Sequence, residues 1–202
     1  MRPVFVAAPL AIAALVAGFF AMQKLDQNAA SSTTAGNIRI VDVPLIDGDG
    51  QPVHLRDLHK KWLVLFFGYA SCPDVCPMSL AYLGRELRDS GDIAEQVQPV
   101  FVSVDPQRDS PEVLKRYTQA FDARILGATG TAENLATISK KLGVYYEVTP
   151  DSSDASGKNY TIVHSGAFFI LRPDGTVVKT LSPPQAPGAL SEALRTLAIK
   201  GV

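Results

Sequence analysis

The sequence predicts a mixed α/β domain built on a partly parallel sheet. Two short, nearly unbroken apolar runs, residues 63–67 and 100–104, read as strands buried on both faces. After each comes a segment with apolar residues at helical spacing, first Leu80, Leu83 and Leu87, later Leu135, Ile138 and Leu142. Towards the end, Pro173-Asp174-Gly175 separates two strand-like runs, which is a hairpin signature. Strands that alternate with helices and then close in a hairpin imply helices packed on a sheet.

Each element has its own local reason. Residues 38–46 read as a first strand, Asp47-Gly48-Asp49-Gly50 as a turn, and residues 52–55 as its partner, giving an N-terminal β-hairpin. The apolar run 63–67 is broken by Gly68 and Ser71. A helix follows Pro77, because a proline in the first turn loses no hydrogen bond. Ser90-Gly91 stops it, and Asp105-Pro106 ends the strand over 100–104. Ser110-Pro111-Glu112 is a helix start, with Val113, Leu114, Tyr117 and Phe121 as its apolar stripe. A short strand is expected at 125–126, and a helix from Gly130-Thr131 to its stop at Gly143. Residues 144–148 read as extended and 149–159 as a polar loop. Segments 160–163 and 167–171 are strand-like and flank His164, the strand over 176–181 closes the hairpin, and a last helix covers about 189–199. The order β-α-β-α, then β-hairpin-α, is that of a thioredoxin-like fold.

The chain has 202 residues, room for one such domain with an additional N-terminal segment. No residue from Pro3 to Met22 is charged, and about twenty apolar residues span a bilayer core. We expect residues 1–23 to be a transmembrane anchor or uncleaved signal. A cleaved signal peptide is the competing reading, but its apolar part is shorter and its head more basic than the single Arg2. The small polar residues 27–36 place a flexible linker at 24–37, and the folded domain occupies 38–202. The positive-inside bias leaves Arg2 in the cytoplasm and the domain outside. With no Arg- and Ser-rich presequence, the expected location is a bacterial inner membrane, single-pass, with the domain in the periplasm. A net charge of −1 without any basic run argues against nucleic acid as a partner.

Chemistry concentrates on the loop after the first buried strand. Both cysteines of the chain, Cys72 and Cys76, lie there, each followed by a proline. Cys76 is expected at the helix start, where free N–H groups and the macrodipole favour a thiolate. The spacing is C-x3-C and not the C-x2-C of redox motifs. A structural disulfide across so short a loop removes little unfolded-state entropy. Two soft sulfurs four residues apart suit one metal; thiolates select Cu(I), zinc or iron–sulfur, and structural zinc asks for four ligands. Of the three histidines, His54 and His59 sit among polar residues near turns and read as surface groups. His164 taken alone reads as a buried histidine held by hydrogen bonds. In a thioredoxin-like sheet, however, the segment before the closing hairpin runs beside the cysteine loop. Cys72, Cys76 and His164 then form a two-sulfur, one-nitrogen set suited to Cu(I) and able to accept Cu(II). Asp74 is a weak accessory candidate, more simply a solvated turn residue. Met78 reads as packing before thioether ligand. Asp105, Arg108 and Asp109 are explained by turn and capping chemistry, and Tyr145 and Tyr146 by packing.

Three blocks, FFGYASCPDVCP over 66–77, FVSVDPQRDSPEVLKRY over 101–117 and YTIVHSGAFFILRPDG over 160–175, resemble the SCO/SenC family. Those are membrane-anchored copper proteins required for cytochrome c oxidase assembly. With the anchor, the resemblance covers nearly the whole chain. It implies copper held by Cys72, Cys76 and His164 and delivered to the CuA centre in oxidase subunit II. It also implies a copper donor protein and a thioredoxin-like reductant as partners. The chain departs from the family at Val163, where an acidic residue is common before the histidine. The expected function is a copper metallochaperone and not an enzyme. The alternatives are a thiol–disulfide oxidoreductase, with Cys72 and Cys76 as a redox disulfide, that keeps the oxidase cysteines reduced, and a redox or copper sensor.

Overall fold

The protein is described by a computed structural model over residues 38–40, 42–58, 60–153 and 159–200. The expected anchor and linker, over 1–37, and His59 lie outside the described residues. Among the described residues no helix is long and apolar enough to cross a membrane.

Two buried parallel strands form the centre of the domain, β3 (Trp62–Gly68) and β4 (Val97–Ser103). On one side β5 (Leu126–Thr129) continues the parallel ladder, and β1 (Pro44–Asp47) and β2 (Pro52–His54) extend it antiparallel. On the other side β8 (Phe168–Leu171) and β9 (Val177–Leu181) add an antiparallel hairpin. The seven-stranded order is β2-β1-β5-β4-β3-β8-β9. A separate ribbon pairs β6 (Tyr146–Pro150) with β7 (Tyr160–His164). The helices are α1 (Val75–Asp89), α2 (Pro111–Gln119), α3 (Ala132–Leu142) and α4 (Ala189–Lys200).

Alternation along β3 assigns the two faces. Leu63, Leu65 and Phe67 pack with Leu135, Ile138 and Leu142 of α3. Val64 and Phe66 pack with Leu80, Leu83 and Leu87 of α1, Leu114 of α2 and Leu190 and Leu194 of α4. The sheet is therefore covered on both faces. Each fully buried Leu or Phe contributes about 1.5–3 kcal/mol relative to exposure. The hydroxyl of Ser110 accepts from Val113 N at the start of α2, and that of Thr131 accepts from Asn134 N at the start of α3. Gly143 ends α3 in the left-handed region at φ 69°, as expected of a glycine stop.

Four elements differ from expectation. The first strand begins only at Pro44; among the described residues before it, Arg39 forms an isolated bridge to Thr176. The strand expected at 125–126 instead occupies 126–129; it passes under α2, where a Cβ on Gly127 would lie 3.0 Å from the Leu114 carbonyl oxygen. The extended segment at 144–148 is β6, shifted to 146–150 by its pairing with β7. Phe121 lies beyond the end of α2, yet still packs against the core with Tyr117, and Thr118 is buried beside Leu114 within the helix.

Glu86 on the core face of α1 is only 1% exposed. Its carboxylate accepts from Gly188 N at 2.8 Å and Ser191 N at 2.9 Å, so it caps the start of α4 from another helix. Glu86→Ala should destabilise the domain by about 2–4 kcal/mol, since two hydrogen bonds to a carboxylate disappear, leaving a buried donor at Ser191 and a half-buried one at Gly188. Urea unfolding measures this; a shift under half a kcal/mol contradicts it.

Candidate metal centre

The site begins where β3 stops. The Gly68 carbonyl accepts the last rung from Val104 N at 2.8 Å, and the chain then leaves the sheet. The turn is closed by Cys72 N donating to the Tyr69 carbonyl at 3.2 Å. Helix α1 opens at Val75, with Pro77 in its first turn as expected. Cys76, its second residue, turns into the core against Phe66 and Leu80 and is 0% exposed, while Cys72 is half-buried. Both thiols are free. Gly68 makes room for the sulfur: a Cβ there would lie 2.5 Å from Cys76 Sγ and 3.0 Å from Phe101 Cε2.

His164 reaches the same place from the far end of β7. Its Nε2 lies 3.1 Å from Cys76 Sγ and 3.9 Å from Cys72 Sγ. Its Nδ1 lies 3.1 Å from the Ser165 carbonyl, which can only accept. This places the ring proton on Nδ1 and leaves the Nε2 lone pair facing the sulfurs. Phe66 and Tyr69 meet the ring edge-to-face at 6.2 and 5.8 Å. Burial pushes the His164 pKa below its ordinary value, so the imidazole is neutral at neutral pH. The three ligand atoms lie within 4.8 Å of one another. Two sulfurs and one neutral imidazole nitrogen form a soft donor set that fits Cu(I) and falls one ligand short of a structural zinc site.

The thiolate expected of Cys76 needs correction. The residue is at the helix start, but burial pushes its thiol up, and the neighbouring Cys72 adds to the effect. Desolvation outweighs the favourable helix position, so the thiol keeps its proton and faces His164 Nε2 as a donor.

The remaining sequence candidates fall outside the cluster. Asp74 precedes α1, is exposed, and its side chain makes no capping hydrogen bond. Met78 is 66% exposed, so the core-packing reading fails there. His54 pairs with Asp42 at 3.1 Å. Tyr145 is exposed, and Tyr146 packs on the core. Asp109 does more than cap a turn. It is 1% exposed, and its Oδ2 accepts from Ala70 N at 2.8 Å and from Ser103 Oγ at 2.6 Å, which ties the cysteine loop to the end of β4. Burial raises its pKa even so. Gly68 and Asp109 are the supporting residues that spacing did not reveal. The signal available was a glycine ending an apolar strand and a second aspartate closing the loop from Asp105 to Asp109.

Comparison with known proteins gives one family. The SCO1/SenC family model matches residues 33–198. The mitochondrial SCO2 homolog of Mus musculus is 36% identical over 157 residues, 76% of this chain and 60% of that protein. The chain thus spans about three-fifths of that relative's length. Yeast Sco1 with copper bound superposes with a TM-score of 0.73 at 32% identity, covering 82% of this chain and 91% of that one. Arabidopsis thaliana ScoI with copper bound gives 0.72 at 29% identity, covering 81% and 99%. By the span of the family match and by these relatives, the chain belongs to the SCO1/SenC family.

Proposed function

We propose that this protein is a copper metallochaperone that holds one copper ion through Cys72, Cys76 and His164. The observation that carries the reading is the convergence of two free sulfurs and an imidazole nitrogen within 4.8 Å, from segments far apart in sequence. Copper bound to the yeast and Arabidopsis relatives supports the same cargo here. Loading displaces the thiol protons. His164 needs no such displacement, because its proton is already on Nδ1. The half-buried Cys72 gives the cargo a route to an acceptor, whereas the enclosed Cys76 retains it.

The acceptor in this reading is the CuA centre of cytochrome c oxidase subunit II. A copper donor and a thioredoxin-like reductant complete the cycle. Residues 1–23 tether the domain to a bacterial inner membrane with the site in the periplasm. These assignments rest on the family resemblance and the uncharged N-terminal segment. The second reading is a thiol–disulfide oxidoreductase, favoured by two free thiols on one loop. It is weakened by the C-x3-C spacing and by the imidazole set beside the sulfurs, which dithiol exchange does not require.

A strain lacking the protein, grown at limiting copper, separates the readings. Delivery predicts lost oxidase activity that added copper restores and His164→Ala does not. An oxidoreductase predicts rescue by His164→Ala at full strength. A sensor predicts loss of a transcriptional response with oxidase activity intact.

A further inference from the structure

The ribbon that carries His164 shares no backbone rung with the seven-stranded sheet among the described residues. Apart from the short link 165–167 into β8, side-chain contacts fix where the imidazole sits. The cluster that joins the ribbon to the loop after β4 is centred on Arg108. Its Nη1 donates to the Tyr160 carbonyl at 2.8 Å, at the start of β7. Its guanidinium carbon lies 3.6 Å from the centre of the Tyr160 ring and 5.5 Å from that of Tyr69. Its Nε donates to Asp105, and the other oxygen of that carboxylate accepts from the Tyr160 hydroxyl at 2.6 Å. Tyr69 continues the chain of contacts. Its hydroxyl accepts from Ile162 N at 3.3 Å, and its ring meets His164 edge-on.

We propose that Arg108 is a positioning residue that clamps β7 so that His164 Nε2 faces the two sulfurs. This rests on the copper-site reading given above. One planar guanidinium serves the ring with its face while its N–H edge serves the Tyr160 carbonyl and Asp105. A lysine ammonium keeps the charge but cannot make all three contacts in one geometry. The pair is shielded, with Asp105 3% exposed and the Arg108 side chain 27%, so it is not a screened surface ion pair. Because the clamp acts through the histidine, removing the histidine removes the benefit of the clamp.

The test is a double-mutant cycle on the full-length chain. Cu(I) affinity is read by competition with a chromophoric Cu(I) chelator for wild type, Arg108→Ala, His164→Ala and the double variant. The clamp predicts that Arg108→Ala weakens Cu(I) binding by about tenfold when His164 is present and by less than about twofold when it is absent. Arg108→Lys should fall between wild type and Arg108→Ala, and it replaces Arg108→Ala in the cycle if that variant does not fold. Equal losses in both backgrounds, or no loss with His164 present, overturn the proposal. If wild type and His164→Ala bind Cu(I) alike, the ligand assignment itself fails and the clamp fails with it.

Discussion

Cys76→Ser should abolish stoichiometric Cu(I) binding and leave the domain folded. The two halves of that expectation have separate causes. Serine occupies nearly the same volume, and its hydroxyl can donate to His164 Nε2 in place of the thiol that now lies 3.1 Å away. Stability should change by only about 1 kcal/mol, measured by thermal unfolding. The lost sulfur, in contrast, removes one of two soft ligands and puts a hard oxygen in its place, which Cu(I) does not favour. The surviving sulfur and imidazole form a two-point site open to solvent on the Cys72 side. Copper retained at one ion per chain by this variant would mean that the cargo is held elsewhere.

Gly68→Ala should damage the site while leaving Cys72, Cys76 and His164 in the sequence. The added methyl group would lie 2.5 Å from Cys76 Sγ and 3.0 Å from the Phe101 ring, both inside contact distance. Neither neighbour has room to yield, since Cys76 and Phe101 are each 0% exposed. Overpacking of this kind costs about 1–3 kcal/mol. The clash therefore falls on the seat of the Cys76 sulfur, which lies 3.1 Å from His164 Nε2. The expected result is a lower melting temperature together with Cu(I) binding weakened well beyond what the stability loss explains. Wild-type affinity in Gly68→Ala would show that the Cys76 sulfur does not need its present seat.

The reach of the sequence follows from which interactions are local. The strand at 63–67, the stripe of Leu80, Leu83 and Leu87, the Thr131 cap and the Gly143 stop are set by nearest neighbours and by burial period, and all appear as expected. Where pairing partners decide, local signals fail. Gly127 and Ala128 carry no strand propensity, and only their place under α2 and beside β1 makes them sheet. The same division holds at the site. Cys72, Cys76 and His164 could be named from chemistry plus topology, and they do converge. The protonation of Cys76 could not, because helix position pointed one way and the depth of burial, invisible in the sequence, pointed the other. Likewise Asp109 looks like any aspartate after a strand until its two donors, Ala70 N and Ser103 Oγ, are seen.

The most direct measurement is X-ray absorption on the reduced, Cu(I)-loaded protein, with and without His164. Two sulfur neighbours and one nitrogen are expected in the wild type, with loss of the nitrogen alone in His164→Ala. A first shell of sulfur only in the wild type, or a nitrogen that persists after the substitution, would contradict it.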